Sequence, residues 1–135
     1  MFIKKANSLH TEQGDSEKFT GNVFVQRFIK NEEVKCNVAR ITFEPTARTN
    51  WHSHPKGQIL IVTDGKGYIQ KRGDHIQSLF PGDIVKILKD EEHWHGATPD
   101  SIFTHIAIQV YESGEDTSWL ISVKDEEYSS IDIIG

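Results

Sequence analysis

The stretch Trp51-His52-Ser53-His54-Pro55-Lys56-Gly57-Gln58, answered far downstream by His93-Trp94-His95, decides how this chain is read. Side chains alternate between the two faces of an extended chain, so residues two apart point the same way. The spacing of His52 and His54 therefore aims both imidazoles to one side, and Gln58 shares their parity. Gln58 also opens the apolar run Gln58-Ile59-Leu60-Ile61-Val62, read as the next strand, so its amide oxygen can join them. A third imidazole from a distant strand would close three nitrogens and one oxygen around a divalent metal, with coordination positions left open for chemistry. His93 and His95 both offer that imidazole, and parity alone does not separate them.

Composition sets the frame for this site. The chain has 135 residues, 36% hydrophobic and 26% charged, enough for one domain over 1–135 that buries a core without metal or disulfide staples. A net charge of −5 with no Lys/Arg cluster argues against nucleic acid as a partner. Apolar runs reach about five residues, far short of the ~20 needed to span a membrane. The start, Met1-Phe2-Ile3-Lys4-Lys5-Ala6-Asn7, has no apolar core of a secretory signal. The single cysteine, Cys36, cannot form an internal disulfide, which points to a reducing cytoplasm, and it reads as an ordinary strand residue.

Proline and glycine interrupt the chain at short intervals, at Pro45, Pro55, Asp64-Gly65, Gly73-Asp74, Pro81-Gly82-Asp83 and Thr98-Pro99-Asp100. The β-rich runs between them predict strands over 22–30, 34–43, 58–63, 68–72, 75–79, 83–87, 93–97 and 102–111, the pattern of an all-β antiparallel sandwich or barrel. One short helix is expected over 124–130, and 9–20 is polar, a loop or arm. In 34–43 the set Ala39, Ile41, Phe43 can line a barrel interior. In 102–111 one face carries Phe103, His105, Ala107 and Gln109, and the other Ile102, Thr104, Ile106, Ile108 and Val110. Two largely apolar faces imply burial on both sides, as in a sandwich that also packs on a partner subunit or terminal arm. The run 22–30 is apolar on both faces too (Val23, Phe24, Val25, Phe28, Ile29), which predicts a homodimer formed through N-terminal strands.

Five of the seven histidines, His52, His54, His93, His95 and His105, fall in three segments with matching parity. Neutral imidazole suits Mn, Fe, Ni, Cu and Zn, and no thiolate selects a soft metal. His105, on the inward face, is either a general base or a buried imidazole that orients a ligand. His95 stands beside the pocket or bonds a loop. Trp51 and Trp94 have parity opposite to the adjoining histidines and are expected to pack behind the site. Arg48 reads as a solvated loop arginine, with an anionic substrate at the rim as the alternative. His10 and His75 have no such company.

With these residues in view, the chain resembles the cupin superfamily. The first cupin motif stands here as His52-Ser53-His54 with Gln58, followed by Gly65. The second stands as Phe80-Pro81-Gly82-Asp83 leading to His93-Trp94-His95-Gly96-Ala97. Leu88-Lys89-Asp90-Glu91-Glu92 occupies the place where cupins usually carry a Pro-x-Gly turn. The resemblance covers roughly 20–115 and implies a single-domain cupin β-barrel of the double-sheet jelly-roll type. More narrowly, 46–58 together with His93-Trp94-His95-Gly96-Ala97-Thr98 and Thr104-His105-Ile106-Ala107 is similar to small bacterial cupins that act as manganese-dependent hydroxynitrile lyases, relatives of the carboxymuconolactone-decarboxylase-associated cupins. That resemblance implies Mn held by His52, His54, Gln58 and His93, with His105, Ala39, Ile41 and Gln109 in the pocket.

Gln58 stands where many cupins have glutamate. A neutral amide leaves a dication uncompensated, so oxygen groups beside it are polarised more strongly, while a trivalent state is less stabilised. The expectation is Lewis-acid chemistry on a small molecule by a lyase or isomerase, such as cyanohydrin cleavage to aldehyde and cyanide, with His105 or His95 moving the proton. Mn is the expected ion, and Fe, Ni and Zn also satisfy the pattern. An Fe(II)-dependent dioxygenase and a non-catalytic module that binds a metal or small ligand are the competing readings.

Overall fold

Short β-rich runs broken by Gly and Pro produce two antiparallel sheets packed face to face in this computed structural model, which describes residues 1–112 and 117–130. The strands in chain order are β1 (Glu12–Gln13), β2 (Phe19–Thr20), β3 (Val23–Asn31), β4 (Cys36–Phe43), β5 (Arg48–Thr49), β6 (His52–Ser53), β7 (Gln58–Gly65), β8 (Gly67–Lys71), β9 (Gln77–Leu79), β10 (Ile84–Ile87), β11 (His93–Ala97), β12 (Phe103–Val110) and β13 (Ser118–Trp119), followed by helix α1 (Asp125–Tyr128). One sheet has the order β1-β3-β4-β12-β7-β10. In the other, β13-β6-β11-β5-β2 form the main path, and β8 joins β11 to β9. β3, β4 and β7 lie in the first sheet and the chain then crosses to β8, back to β10, across to β11 and back to β12, so both sheets line the interior. Among the described residues no helix is long and apolar enough to cross a membrane.

The interior of the six-stranded sheet changes character along its strands. Phe103 lies opposite Phe43, His105 opposite Ile41 and Val62, and Ala107 opposite Ala39 and Leu60. Gln109 lies opposite Asn37 and Gln58. The apolar end packs as a cluster of Val23, Phe43, Ala47, Val62, Leu79, Ala97 and Phe103. The amide end opens toward β1 and β2.

Two local features depart from the strand pattern. The segment 9–20, read as a loop or arm, contributes β1 on β3 and β2 on β5. Phe19 anchors it by an edge contact with Phe43, ring centroids 6.1 Å apart. A bulge in β3 between Arg27 and Ile29 breaks the alternation. Val23 and Val25 face the interior opposite Phe43 and Ile41, whereas Ile29 is turned outward opposite Val38.

Beyond β13 the chain crosses the back of the second sheet as a strap. Trp51 N–H donates to Ile121 O at 3.0 Å and Leu120 N–H to Trp51 O at 2.8 Å. Val123 and Tyr128 pack there with Trp51, Tyr68, Ile76 and Trp94, and the Tyr128 hydroxyl donates to Ala97 O. Trp51 and Trp94 thus occupy the layer behind the histidines. The helix expected over 124–130 is the single turn α1, whose first-turn Glu127 accepts from Lys124 N–H at 3.1 Å.

Candidate metal centre

Pairing of β6 with β11 sets His52 directly opposite His93, so both rings leave the same face of the sheet. His54 and His95, each two residues further along, join them on that face. Ring centroids lie 4.2 Å apart for His52–His93, 5.0 Å for His52–His54, 5.4 Å for His54–His93 and 5.4 Å for His52–His95. Gln58 arrives from the opposite sheet after a turn closed by Gly57 N–H to His54 O at 3.1 Å. Gly57 has φ +78, and a Cβ there would stand 2.4 Å from Ile87 O, so only glycine fits the turn. The turn before His93 is made without the expected Pro-x-Gly. Asp90 takes φ +61, a conformation aspartate tolerates, and its N–H donates to His54 O at 2.9 Å.

The hydrogen bonds around these rings decide which nitrogen faces inward. His52 Nδ1 lies 2.9 Å from Asn50 O and His93 Nδ1 2.9 Å from Glu91 O. A carbonyl only accepts, so each Nδ1 carries the hydrogen and each Nε2 keeps its lone pair. His54 Nδ1 lies 3.2 Å from Thr117 Oγ1. The Nε2 atoms of His54, His93 and His95 and the Oε1 of Gln58 are buried without a hydrogen-bond partner. Each such orphan costs about 1–3 kcal/mol, and their convergence, with the outer nitrogens already held, fits a divalent cation. The tightest grouping, with one nitrogen each within 4.8 Å, is His52, His93 and His95. It takes in His95 rather than His54 from the expected set of His52, His54, Gln58 and His93, although His54 and Gln58 adjoin it.

Burial pushes every one of these imidazoles toward its neutral, metal-binding form. His52 and His95 fall well below the usual value of 6.5, with neighbouring histidines adding to the effect. Burial and His93 lower His54 to about 4, and burial lowers His93 despite the nearby Glu91. His105, fully buried at 0% exposure, is lowered by burial to about 3. Its Nε2 lies 3.2 Å from His95 Nδ1, with Phe43 and Phe103 rings 5.5 and 5.4 Å away.

A cavity of about 320 Å³ opens over this floor, lined by His52, His54, Gln58 and His95, but not by His105. Val25, Ala39, Ile41, Ala107, Phe19 and Trp119 form its apolar wall, and Asn37, Gln109 and Arg27 stand further along the lining. Trp119 stacks on His52 with ring centroids 4.7 Å apart and planes at 24°. Phe19, Thr117 and Trp119 were not singled out in the sequence. The one signal was the apolar run Trp119-Leu120-Ile121 after a polar stretch. Arg48 is neither solvated nor at the pocket rim. It is buried, donates to Val123 O at 2.7 Å and Asp125 at 2.8 Å, and lies 4.5 Å over the Tyr128 ring. Its five donors need acceptors when buried, and the C-terminal strap together with Thr46 O supplies them. His10 and His75 are exposed.

The cupin domain family model matches residues 39–108, from the inward face of β4 to the outer face of β12. The chain is 41% identical over 129 residues to an (R)-mandelonitrile lyase of Granulicella tundricola, covering 95% of this chain and 98% of that protein. Among solved structures, a cupin-like protein of Thermotoga maritima is 46% identical with a TM-score of 0.84, covering 88% of this chain and 91% of that one. The polyketide cyclase RemF of Streptomyces resistomycificus shares the fold at 13% identity and a TM-score of 0.76, over 95% and 90% of the two chains. The histidine-lined barrel and these likenesses agree, and this chain belongs to the cupin family.

Proposed function

We propose that this protein is a metal-dependent lyase of the hydroxynitrile-lyase type, cleaving a small cyanohydrin into an aldehyde and cyanide. The observation that carries this reading is a neutral His95, backed by His105, on the wall of the cavity that His54 and Gln58 line with their orphaned donors. The name of the Granulicella relative points to the same chemistry. Mn(II) is the ion we assign on the resemblance to manganese-dependent hydroxynitrile lyases, and a donor set of imidazoles and an amide without thiolate accommodates it, as it does Fe, Ni and Zn.

His52, His54, Gln58 and His93 would hold the ion. A divalent ion there supplies Lewis acidity that lowers the pKa of a hydroxyl bound beside it. His95 lines the cavity, and its Nε2 is free to accept the hydroxyl proton. His105 holds the other nitrogen of His95 from behind and so fixes its ring, and where His105 Nε2 accepts, the His95 Nε2 lone pair faces the cavity. Both imidazoles are neutral at pH 7 because burial lowers them, so the acceptor is available. As the proton leaves oxygen, the carbonyl forms, the C–CN bond breaks and its electron pair departs with cyanide. The imidazolium then returns the proton to cyanide, which leaves as HCN. Phe19, Ile41 and Trp119 offer an apolar berth for the rest of the substrate.

The test is mandelonitrile cleavage, followed by the ultraviolet absorbance of benzaldehyde, with protein stripped by chelator and reloaded with Mn(II). Cleavage lost on stripping and restored by Mn(II) is expected. Equal cleavage in both states would overturn the reading, as would activity restored only by Fe(II) with consumption of O2.

We also propose that a second copy of the chain covers the outer face of the six-stranded sheet. Ile29, Val38, Ile108 and Ile59 form one cross-strand row there, and Ile84 is 70% exposed. The row ends at the exposed Lys86, opposite Ile59, and its apolar remainder is compatible with itself across a two-fold axis. Cys36, half-buried and free, suits a reducing cytoplasm as the compartment.

A further inference from the structure

The three histidines assigned to the ion differ in what holds their outer nitrogen. His52 and His93 face backbone carbonyls of Asn50 and Glu91, which can only accept. Those two tautomers are locked by the local chain. His54 instead faces a hydroxyl, Thr117 Oγ1, 63 residues away in sequence and 3.2 Å away in space. A hydroxyl can donate or accept. If Thr117 donates to Nδ1, the hydrogen of a neutral His54 sits on Nε2 and that nitrogen cannot bind metal. If Thr117 accepts, Nδ1 carries the hydrogen and Nε2 is ready.

A second contact fixes where that oxygen stands. Gln109 Nε2 donates to the same Thr117 Oγ1 at 3.0 Å, which occupies one lone pair and leaves the hydroxyl hydrogen and the other lone pair for His54. A His54 that binds an ion through Nε2 carries its hydrogen on Nδ1, and Thr117 then accepts it through that second lone pair. Thr117 is itself fixed by its position. It directly precedes β13, where Trp119 pairs with His52 in the sheet and stacks on its ring. The strap beyond is clamped by Arg48 on Val123 O. A segment outside the matched region 39–108 therefore touches two of the four donors.

We propose that Thr117 is a positioning residue of the metal centre, whose hydroxyl, held in place by Gln109, orients His54 and accepts its Nδ1 hydrogen in the metal-ready tautomer. This rests on the reading of His54 as a metal donor. Thr117→Val keeps the shape of the side chain and removes the acceptor, leaving the His54 and Gln109 donors without a partner. Thr117→Ser keeps the hydroxyl.

The experiment is titration of metal-free protein with Mn(II) alone, reading the electron paramagnetic resonance of the free ion. Melting of each metal-free variant is recorded alongside. Thr117→Val is expected to weaken Mn(II) binding about 10- to 100-fold, the usual range for a lost outer-sphere partner. Thr117→Ser should retain most of the affinity and melt close to wild type without metal, while metal-free Thr117→Val should melt somewhat lower, in one cooperative transition, from a folded state. In a His54→Ala background, Thr117→Val should have no further effect, because its route to the ion is gone. The proposal is overturned if Thr117→Val binds as wild type does, if Thr117→Ser is as weak as Thr117→Val, or if the loss persists in the His54→Ala background. A wild-type protein that takes up no Mn(II) would fell the metal reading itself. A Thr117→Val protein matching a Mn-binding wild type would fell this inference alone.

Discussion

The two ends of the barrel interior share one scaffold and do different work. At one end Phe43 and Phe103 face each other across β4 and β12, both at 0% exposure. Six residues further along the same strands, Asn37 and Gln109 face each other across the same ladder. Strand alternation delivers both pairs to the interior by the same rule. The apolar end gains from burial and close packing. The other end buries imidazole nitrogens and an amide oxygen that have no protein partner, an arrangement that costs stability and makes sense as a site. Stability is concentrated at one end and chemistry at the other, so each can be perturbed separately.

The sharpest way to break that division is Phe103→Ala. It should cost about 3–5 kcal/mol through lost burial and a cavity, read as a lower urea midpoint of the metal-free protein. Equal destabilisation by His93→Ala would erase the contrast between the ends. Next in size is His105→Ala, which should leave Mn(II) stoichiometry intact and lower mandelonitrile turnover by roughly 100-fold, because the His95 proton acceptor loses the ring that orients it. Full turnover in that variant would make His105 a packing residue.

Acid should expose the polar end by itself. In the folded metal-free protein His54 and His105 protonate only near about 4 and about 3, whereas the unfolded chain takes up those protons near 6.5. The unfolded state binds more protons between these values, so stability is fully present above about 6.5 and falls as pH drops toward 4 and then 3. The slope is about 1.4 kcal/mol per pH unit for each such histidine. Urea midpoints that stay flat from pH 7 to pH 4 would contradict the buried neutral state. The smallest effect is expected from Gln58→Ala, which should weaken Mn(II) less than His93→Ala does, since a neutral amide oxygen is the poorest donor of the four. On the outer face, Ile59→Lys should shift the protein toward a 15.4 kDa species in light scattering.

The polar end was legible in the sequence to an uneven degree. His52, His54, His93 and His95 could be placed on one face because period-two alternation needs no knowledge of what lies opposite. Gln58 followed because it opens an apolar run, and its direction across the cavity depended on the Gly57 turn. The apolar end was legible through Ala39, Ile41, Phe43 and Phe103 for the same reason. What alternation could not reveal was anything fixed by long-range contact. The bulge at Phe28 reverses the facing of Ile29, and a bulge leaves no mark in the hydrophobic pattern. Strands of two residues, such as β2 and β13, are too short to show a period. Arg48 looked like a loop arginine because its acceptors, Val123 O and Asp125, lie more than seventy residues away. Thr117 was invisible for the same reason, its partners His54 and Gln109 being brought to it only by the fold.

The central claim is that donors from β6, β7 and β11, with the intervening His54, converge to hold one divalent ion. Titration of chelator-stripped protein with Mn(II), with bound ion counted per chain, tests it most directly. The account predicts saturation at one ion per chain, with tight binding lost in both His52→Ala and His93→Ala while each variant stays folded. Absence of saturable binding, or undiminished binding in both variants, would contradict it.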